Sequence, residues 1–286
     1  MKAIYERIAA EIRTADAIII GASNGLSITE GFHLFADNLW FQTNFGDFRA
    51  RYGWRRILDG MFHSFATEEE KWGFWSRLAY LASYQKPVSN VMRQLRALTA
   101  DKPTFVLTSN GEDHFVPAGF AAENVFEMEG TFTHNRCARG CSEDVWSNRE
   151  EVLRLAAAER DGRVPTELLP RCPHCGGPAE VDMASGQDYF RSRRWQEKAQ
   201  AFEQFVQNAQ GKRLLVLELG IGWRNQLIKA PLMRLVEATP NAHYVTFNKG
   251  EIYIPDTIAE KSIGADGDVD GDLGEAIAGV YECWRA

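Results

Sequence analysis

Ala17-Ile18-Ile19-Ile20, running directly into Gly21-Ala22-Ser23-Asn24-Gly25-Leu26-Ser27, is the stretch on which the fold turns. The apolar run reads as a buried strand. The small residues after it let backbone N–H groups approach an anion closely, which is how a phosphate-binding turn begins. Upstream, Ile4, Ile8 and Ile12 recur every four residues between charges and predict an amphipathic helix. Downstream, residues 104–107, 125–128, 214–219 and 243–248 repeat the short apolar pattern, and 88–98 reads as another helix. Strands apolar on both faces and alternating with helices predict an α/β protein built on a Rossmann-like parallel sheet covered on both sides. Ligands of such sheets bind beyond the carboxyl ends of the strands, where the polar loops of this chain stand.

The chain has 286 residues, 45% hydrophobic and 25% charged, an ordinary globular balance that excludes disordered or collagen-like classes. With 32 basic and 39 acidic residues its net charge is −7, so no nucleic-acid partner is expected. Glu6, Arg7, Glu11, Arg13 and Asp16 break up the N-terminal stretch, so it does not read as an export signal. Nowhere do about 18 apolar residues follow one another, so no membrane partner is expected and the location is read as cytoplasmic. Between 36 and 90, Trp40, Phe41, Phe45, Phe48, Trp54, Phe74 and Trp75 crowd helix-like text. This reads as a helical insertion with an aromatic core, part of which could line a ligand cleft. Two arginine clusters, Arg49, Arg51, Arg55 and Arg56, then Arg191, Arg193 and Arg194, read as solvated faces, with a docking surface as the alternative.

Four of the five cysteines fall in two close pairs, Cys137 with Cys141 and Cys172 with Cys175, thirty residues apart. Without an export signal they read as metal ligands, and four thiolates suit a closed structural zinc site. Cys283 stands far from both pairs and reads as a packed thiol; His174, between two ligands, reads as solvated.

Three loops, GASNGLSITEG at 21–31, TSNGEDHF at 108–115 and FEMEG at 126–130, stand in that order with the cysteine site directly after the third. Together they resemble the sirtuin family, along nearly the whole chain. The resemblance implies an NAD diphosphate loop at Ser23, Asn24, Gly25 and Ser27, and a nicotinamide pocket at Ser109, Asn110 and Glu112. It implies an adenosine side at Gly220, Gly222, Asn248 and Lys249, with Asp272 and Leu273 in the family's closing segment. The lead residues of 23–27 differ and Gly111-Glu112-Asp113 replaces Ile-Asp after Asn110, and two further departures matter most. Glu129 stands where sirtuins carry a catalytic His, and Val181-Asp182-Met183-Ala184 replaces the Phe-Gly-Glu stretch that clasps an acyl-lysine peptide. The pattern looks like the divergent branch that includes macrodomain-linked sirtuins, whose studied members transfer ADP-ribose to protein.

Sirtuins break the nicotinamide–ribose bond through a transition state of oxocarbenium character, which a nearby carboxylate stabilises. A deacylase then needs a base for the ribose 2′-hydroxyl, and an ordinary Glu, with a pKa near 4.3, is a weak one. The expected activity is therefore NAD-dependent ADP-ribosyl transfer to a protein acceptor. Asn110, Glu129 and Asp113 are the expected catalytic residues, with Glu112 or Asp113 facing the nicotinamide. A lysine deacylase, an NAD hydrolase and a non-catalytic NAD-binding module are the alternatives. The expected division is an NAD-binding domain at 1–35, 88–130 and 205–286, a helical insertion at 36–87 and a zinc-bearing domain at 131–204.

Overall fold

The apolar run at 17–20 lies at the middle of a six-stranded parallel sheet. The computed structural model describes residues 2–184, 191–248, 252–265 and 273–286. In chain order the sheet strands are β1 (Ala17–Ala22), β2 (Thr104–Thr108) and β3 (Val125–Glu127). A separate antiparallel sheet follows, from β4 (Gly130–Cys137), β5 (Val145–Ser147) and β6 (Ala179–Met183). The chain then returns to the parallel sheet with β7 (Leu214–Leu219), β8 (Ala242–Phe247) and β9 (Ser262–Ala265). The spatial order is β3-β2-β1-β7-β8-β9, beside a small sheet β5-β4-β6. This is the doubly wound order, in which the connection reverses direction between β1 and β7 and opens a crevice above their ends.

Alternate residues of the buried strands face opposite helical layers. Ile18, Ile20, Val106, Leu215, Leu217 and Val245 pack on α1 (Lys2–Thr14), α6 (Asn90–Leu98) and α10 (Leu273–Arg285) through Ile8, Ile12, Leu95 and Ile277. Ile19, Phe105, Leu107, Val216 and Tyr244 pack on α8 (Arg193–Asn208) and α9 (Gln226–Ala238) through Phe202, Phe205, Ile228 and Leu232. Residues Ile18, Ile19 and Ile20 are wholly buried, each contributing about 1.5–3 kcal/mol of transfer free energy. Helix α8 runs across residue 204, where the sequence divides the zinc-bearing domain from the sheet, and Phe202 and Phe205 flank Phe105 at 5.3 and 5.5 Å.

After the short α2 (Asn24–Thr29), the aromatic stretch forms α3 (Leu39–Tyr52), α4 (Ile57–Met61) and α5 (Glu68–Ala79), and then a π-turn, Tyr80–Tyr84. Phe41, Phe45, Phe48, Trp54 and Phe74 make its core, which Phe132 of β4 and Val152 of α7 (Arg149–Ala158) complete. The helical insertion and the small sheet thus share a core. Among the described residues no helix is long and apolar enough to cross a membrane.

The crevice exists because two glycines touch. Gly25, in α2, donates its N–H to the carbonyl of Gly220 at 2.9 Å, just beyond β7. A Cβ on Gly25 would lie 2.6 Å from the Gly220 Cα, and Gly220 has φ +62, which side chains rarely adopt. Gly25→Ala is expected to cost ~1–3 kcal/mol of stability and to splay the two loops. Chemical denaturation of the variant beside wild type checks this, and an unchanged midpoint contradicts it.

Candidate active site

The loops after β1, β2 and β7 meet in one hydrogen-bonded knot. Ser109 Oγ donates to Ser23 Oγ at 2.9 Å, and Asn225 Nδ2 donates to both hydroxyls at 3.0 Å. Asn110 Nδ2 donates to the Ser23 carbonyl at 3.1 Å, while its backbone N–H donates to Thr108 Oγ1 at 3.0 Å. Ser23, Asn24, Gly25, Ser27, Ser109 and Asn110 therefore lie together at the crevice, with Gly220 against Gly25 and Gly222 in open space. Asn24 Oδ1 is buried with no hydrogen-bond partner among the described residues. A backbone contact that no Cβ could share leaves the close approach that the diphosphate side of a dinucleotide needs, and the unpartnered Asn24 amide oxygen, an acceptor, suits a hydroxyl donor such as a ribose's. Asn248 stands half-buried just beyond β8, and Leu273 opens α10. Lys249 and Asp272 lie outside the described residues.

Deeper in, Glu112 is almost fully buried. Its Oε1 accepts from Ser27 Oγ, while Oε2 has no partner. Asp113 takes a left-handed backbone, φ +56, and its Oδ1 is also buried without a partner. Burial, and secondly the Glu127 charge, push the Asp113 carboxyl up to about 7. Both carboxyls line a cavity of about 10 Å³, room for one water, with Asn110, Thr108, His114 and Glu127.

Glu129 follows β3 in the turn into β4. Gly130, with φ +88, holds that turn, because a Cβ there would sit 2.0 Å from the Asp182 carbonyl. The Glu129 carbonyl accepts from Ala184 N at 2.8 Å, and burial raises the Glu129 carboxyl above its ordinary range. The neighbouring Glu127 is neutralised instead: Arg194 donates to both of its oxygens at 2.9 and 2.8 Å. Arg194 thus leaves the solvated cluster the sequence suggests, drawn inward by a buried carboxylate. The remaining arginines of the two clusters are also engaged. Arg49 and Arg55 pair with Asp37, Arg51 with Glu70, Arg56 with Asp59 and Arg193 with Asp144, while Arg191 lies over the Trp195 ring.

The four cysteines converge at the far end of the small sheet. Their sulfurs lie within 4.8 Å of one another, with Cys137–Cys175 at 3.7 Å and Cys141–Cys172 at 3.5 Å. Four thiolates at ~2.3 Å from a tetrahedral zinc stand ~3.8 Å apart, so the set fits the ion closely. Each pair closes a short turn, in which Gly140 donates to the Cys137 carbonyl and Gly176 to that of Cys172. His174 is half-exposed, 3.5 Å from Asp144, and Cys283 packs against the α1/α10 core.

Sequence reasoning passed over Asn225, Ser89, Glu30 and Lys86, all of them at or near the crevice. Asn225 stands three residues past Gly222, and an amide in the loop after a buried strand was the available signal.

A doubly wound sheet with a glycine-pinned switch point, and a four-thiolate module leading off its edge strand, defines a dinucleotide-binding protein of sirtuin architecture. No protein-family model matches the chain. A solved structure from work on the mechanism and regulation of Sir2 enzymes superposes with TM-score 0.60 at 16% identity, covering 100% of this chain and 99% of that one. Sir2Tm bound to a propionylated peptide gives 0.57 at 14% identity over 96% of each chain. A protein ADP-ribosyltransferase of Staphylococcus aureus strain Mu50 is 30% identical over 254 residues, 88% of this chain and 80% of the relative. A probable bifunctional ADP-ribose hydrolase/ADP-ribosyltransferase of Fusarium oxysporum f. sp. cubense is 25% identical over 221 residues. Those residues are 74% of this chain but 36% of the fungal protein's length. The chain belongs to the sirtuin family, in its ADP-ribosylating branch.

Purified protein is expected to carry one zinc per chain by elemental analysis. Cys172→Ser is expected to lose the ion and lower the melting temperature. Four freely titrating thiols and no metal in the native protein would overturn the assignment.

Proposed function

We propose that this chain transfers ADP-ribose from NAD to a protein acceptor. The observation that carries this reading is Glu129: a half-buried carboxyl, lifted above the ordinary range by partial burial, stands where a deacylase needs an imidazole base. Bound NAD supplies the scissile bond between nicotinamide and ribose C1′. Ser23, Gly25 and the Gly220 loop hold the diphosphate, and Asn110 holds the ribose by hydrogen bonds. Glu112 or Asp113 receives the nicotinamide amide through an oxygen that has no other partner. Nicotinamide leaves with the bond's electron pair, and an acceptor heteroatom adds to C1′. Glu129 takes the proton that the acceptor loses, and its negative charge steadies the positive charge developing on the ribose.

A cleft of about 250 Å³ between the helical insertion and β6 offers room for the acceptor. Met61, His63, Phe65 and Trp75 line one side of it, and Val181, Met183 and Ala184 the other. Ala184 is the residue whose N–H holds the Glu129 carbonyl, so the cleft adjoins the catalytic turn. Lys71, Arg136 and Glu180 also line it, so a mixed, charged wall stands where a deacylase carries the Phe-Gly-Glu clasp, which favours the transferase reading.

Because the folded pKa of Glu129 is raised, its basic form is lost as pH falls through a value above 4.5. Nicotinamide release from NAD, measured with host lysate present, is expected to fall on that acid side. Glu129→Gln is expected to lower the rate about 100-fold and to abolish the acid limb. Asn110→Ala is expected to cost about tenfold. Undiminished release by Glu129→Gln would refute the assigned role.

A further inference from the structure

The loop that carries Asn110 and Glu112 is held by a histidine that the proposed mechanism leaves unused. His114 Nδ1 lies 2.6 Å from Glu30 Oε2, and its Nε2 lies 2.8 Å from the Ala82 carbonyl. Both partners accept only. A carbonyl has no proton to give, and Glu30 is held ionised, its pKa lowered by hydrogen bonds from His114 and Ser89 that overcome its burial. Ser89 Oγ donates to Glu30 Oε1 at 2.7 Å. A neutral imidazole has a single N–H and cannot serve two acceptors, so the geometry requires an imidazolium.

The local sequence explains why a cation is needed at this place. Ala82 lies in the π-turn that ends the helical insertion. The i→i+5 partner of its carbonyl would be residue 87, and Pro87 has no N–H. The orphan carbonyl at this helix end attracts a positive charge. The charged groups facing the ring are mostly acidic, which favours a cation there: Glu30 at the C-cap of α2, Glu112 and Asp113 from its own loop, against Lys86 from the segment before α6. Glu112 Oε1 stands 3.9 Å from Nδ1, and Lys86 Nζ is buried without a hydrogen-bond partner among the described residues.

We propose that His114 is a positioning residue of the NAD site: as an imidazolium it clamps α2, the Asn110–Glu112 loop and the π-turn of the helical insertion into one binding-competent arrangement. The clamp reaches the nucleotide through its neighbours. Glu30 caps the end of α2, which carries Gly25 and Ser27, and Glu112 is bonded to Ser27. Loss of the ring proton removes one of the two bonds and leaves either the Glu30 charge or the Ala82 carbonyl unsatisfied. Since the folded pKa of His114 is raised above 6.5, the clamp is intact at and below that pH and is lost as pH rises through the raised value. The inference rests on the NAD-binding part of the proposed function and is independent of the acceptor.

The test joins two readouts on the intact protein. Long-range ¹H–¹⁵N NMR of the histidine rings reports protonation, and calorimetric titration with NAD reports affinity. At pH 6.5–7 the His114 ring is expected to show both nitrogens protonated. In wild type, NAD affinity is expected to weaken about tenfold as that ring titrates. His114→Gln, assigning the ring signal and keeping one N–H donor, is expected to bind NAD more weakly and without this pH dependence. A ring with a single N–H at pH 6.5, or the same pH dependence in His114→Gln, would overturn the proposal. NAD binding that follows the ring without any nicotinamide release would leave the clamp standing and defeat the transfer reading instead.

Discussion

Everything at the crevice depends on the contact between Gly25 and Gly220. Parallel strands β1 and β7 are neighbours whose chains leave the sheet toward opposite layers, so the loops above them must diverge. Here they are drawn together by one backbone hydrogen bond at 2.9 Å, with no room for a side chain on either residue. That contact sets Ser23 beside Asn225, which in turn ties in Ser109, while Asn110 bonds the Ser23 carbonyl. Three strand ends thereby present one polar surface, though each belongs to a different stretch of sequence.

Around that surface the charge is sorted by partner. Glu127 has Arg194, Glu30 has His114 and Ser89, and Glu112 has Ser27 on one oxygen only. Asp113 and Glu129 are left with burial as the main influence, which raises both carboxyls. Buried acids without compensation cost stability, and such groups collect where a ligand or a reacting proton completes them. The zinc module stands apart from this chemistry. Its four sulfurs would leave a bound zinc no open position, and they lie beside the small sheet whose Gly130 sets the Glu129 turn.

The sheet was legible because its strands are apolar on both faces, and residues 214–219 form a strand over the expected span. Even there one residue resisted reading. Glu218 is fully buried inside that run, and its carboxylate is answered by Lys229, by the Tyr244 hydroxyl and by Thr246 at 2.9 Å, partners that no local pattern reveals. Strand β9 passed unseen because Ser262-Ile263-Gly264 carries a single large apolar residue on an edge position. The small sheet was also hidden, since β4 reads GTFTHNRC and its pairing with β6 spans an insertion. In the proposed site, loop order suggested Asn110, Glu112 and Glu129, whereas His114 and Asn225 acquire meaning only from what the fold brings against them.

The central claim is that the acceptor of ADP-ribose is a protein and not water. The most direct measurement follows NAD labelled in its adenylate half after incubation with the enzyme and host lysate. The account predicts label covalently bound to protein, in amounts matching the nicotinamide released. Label recovered wholly as free ADP-ribose, or as ADP-ribose carrying an acyl group taken from lysine, would contradict it.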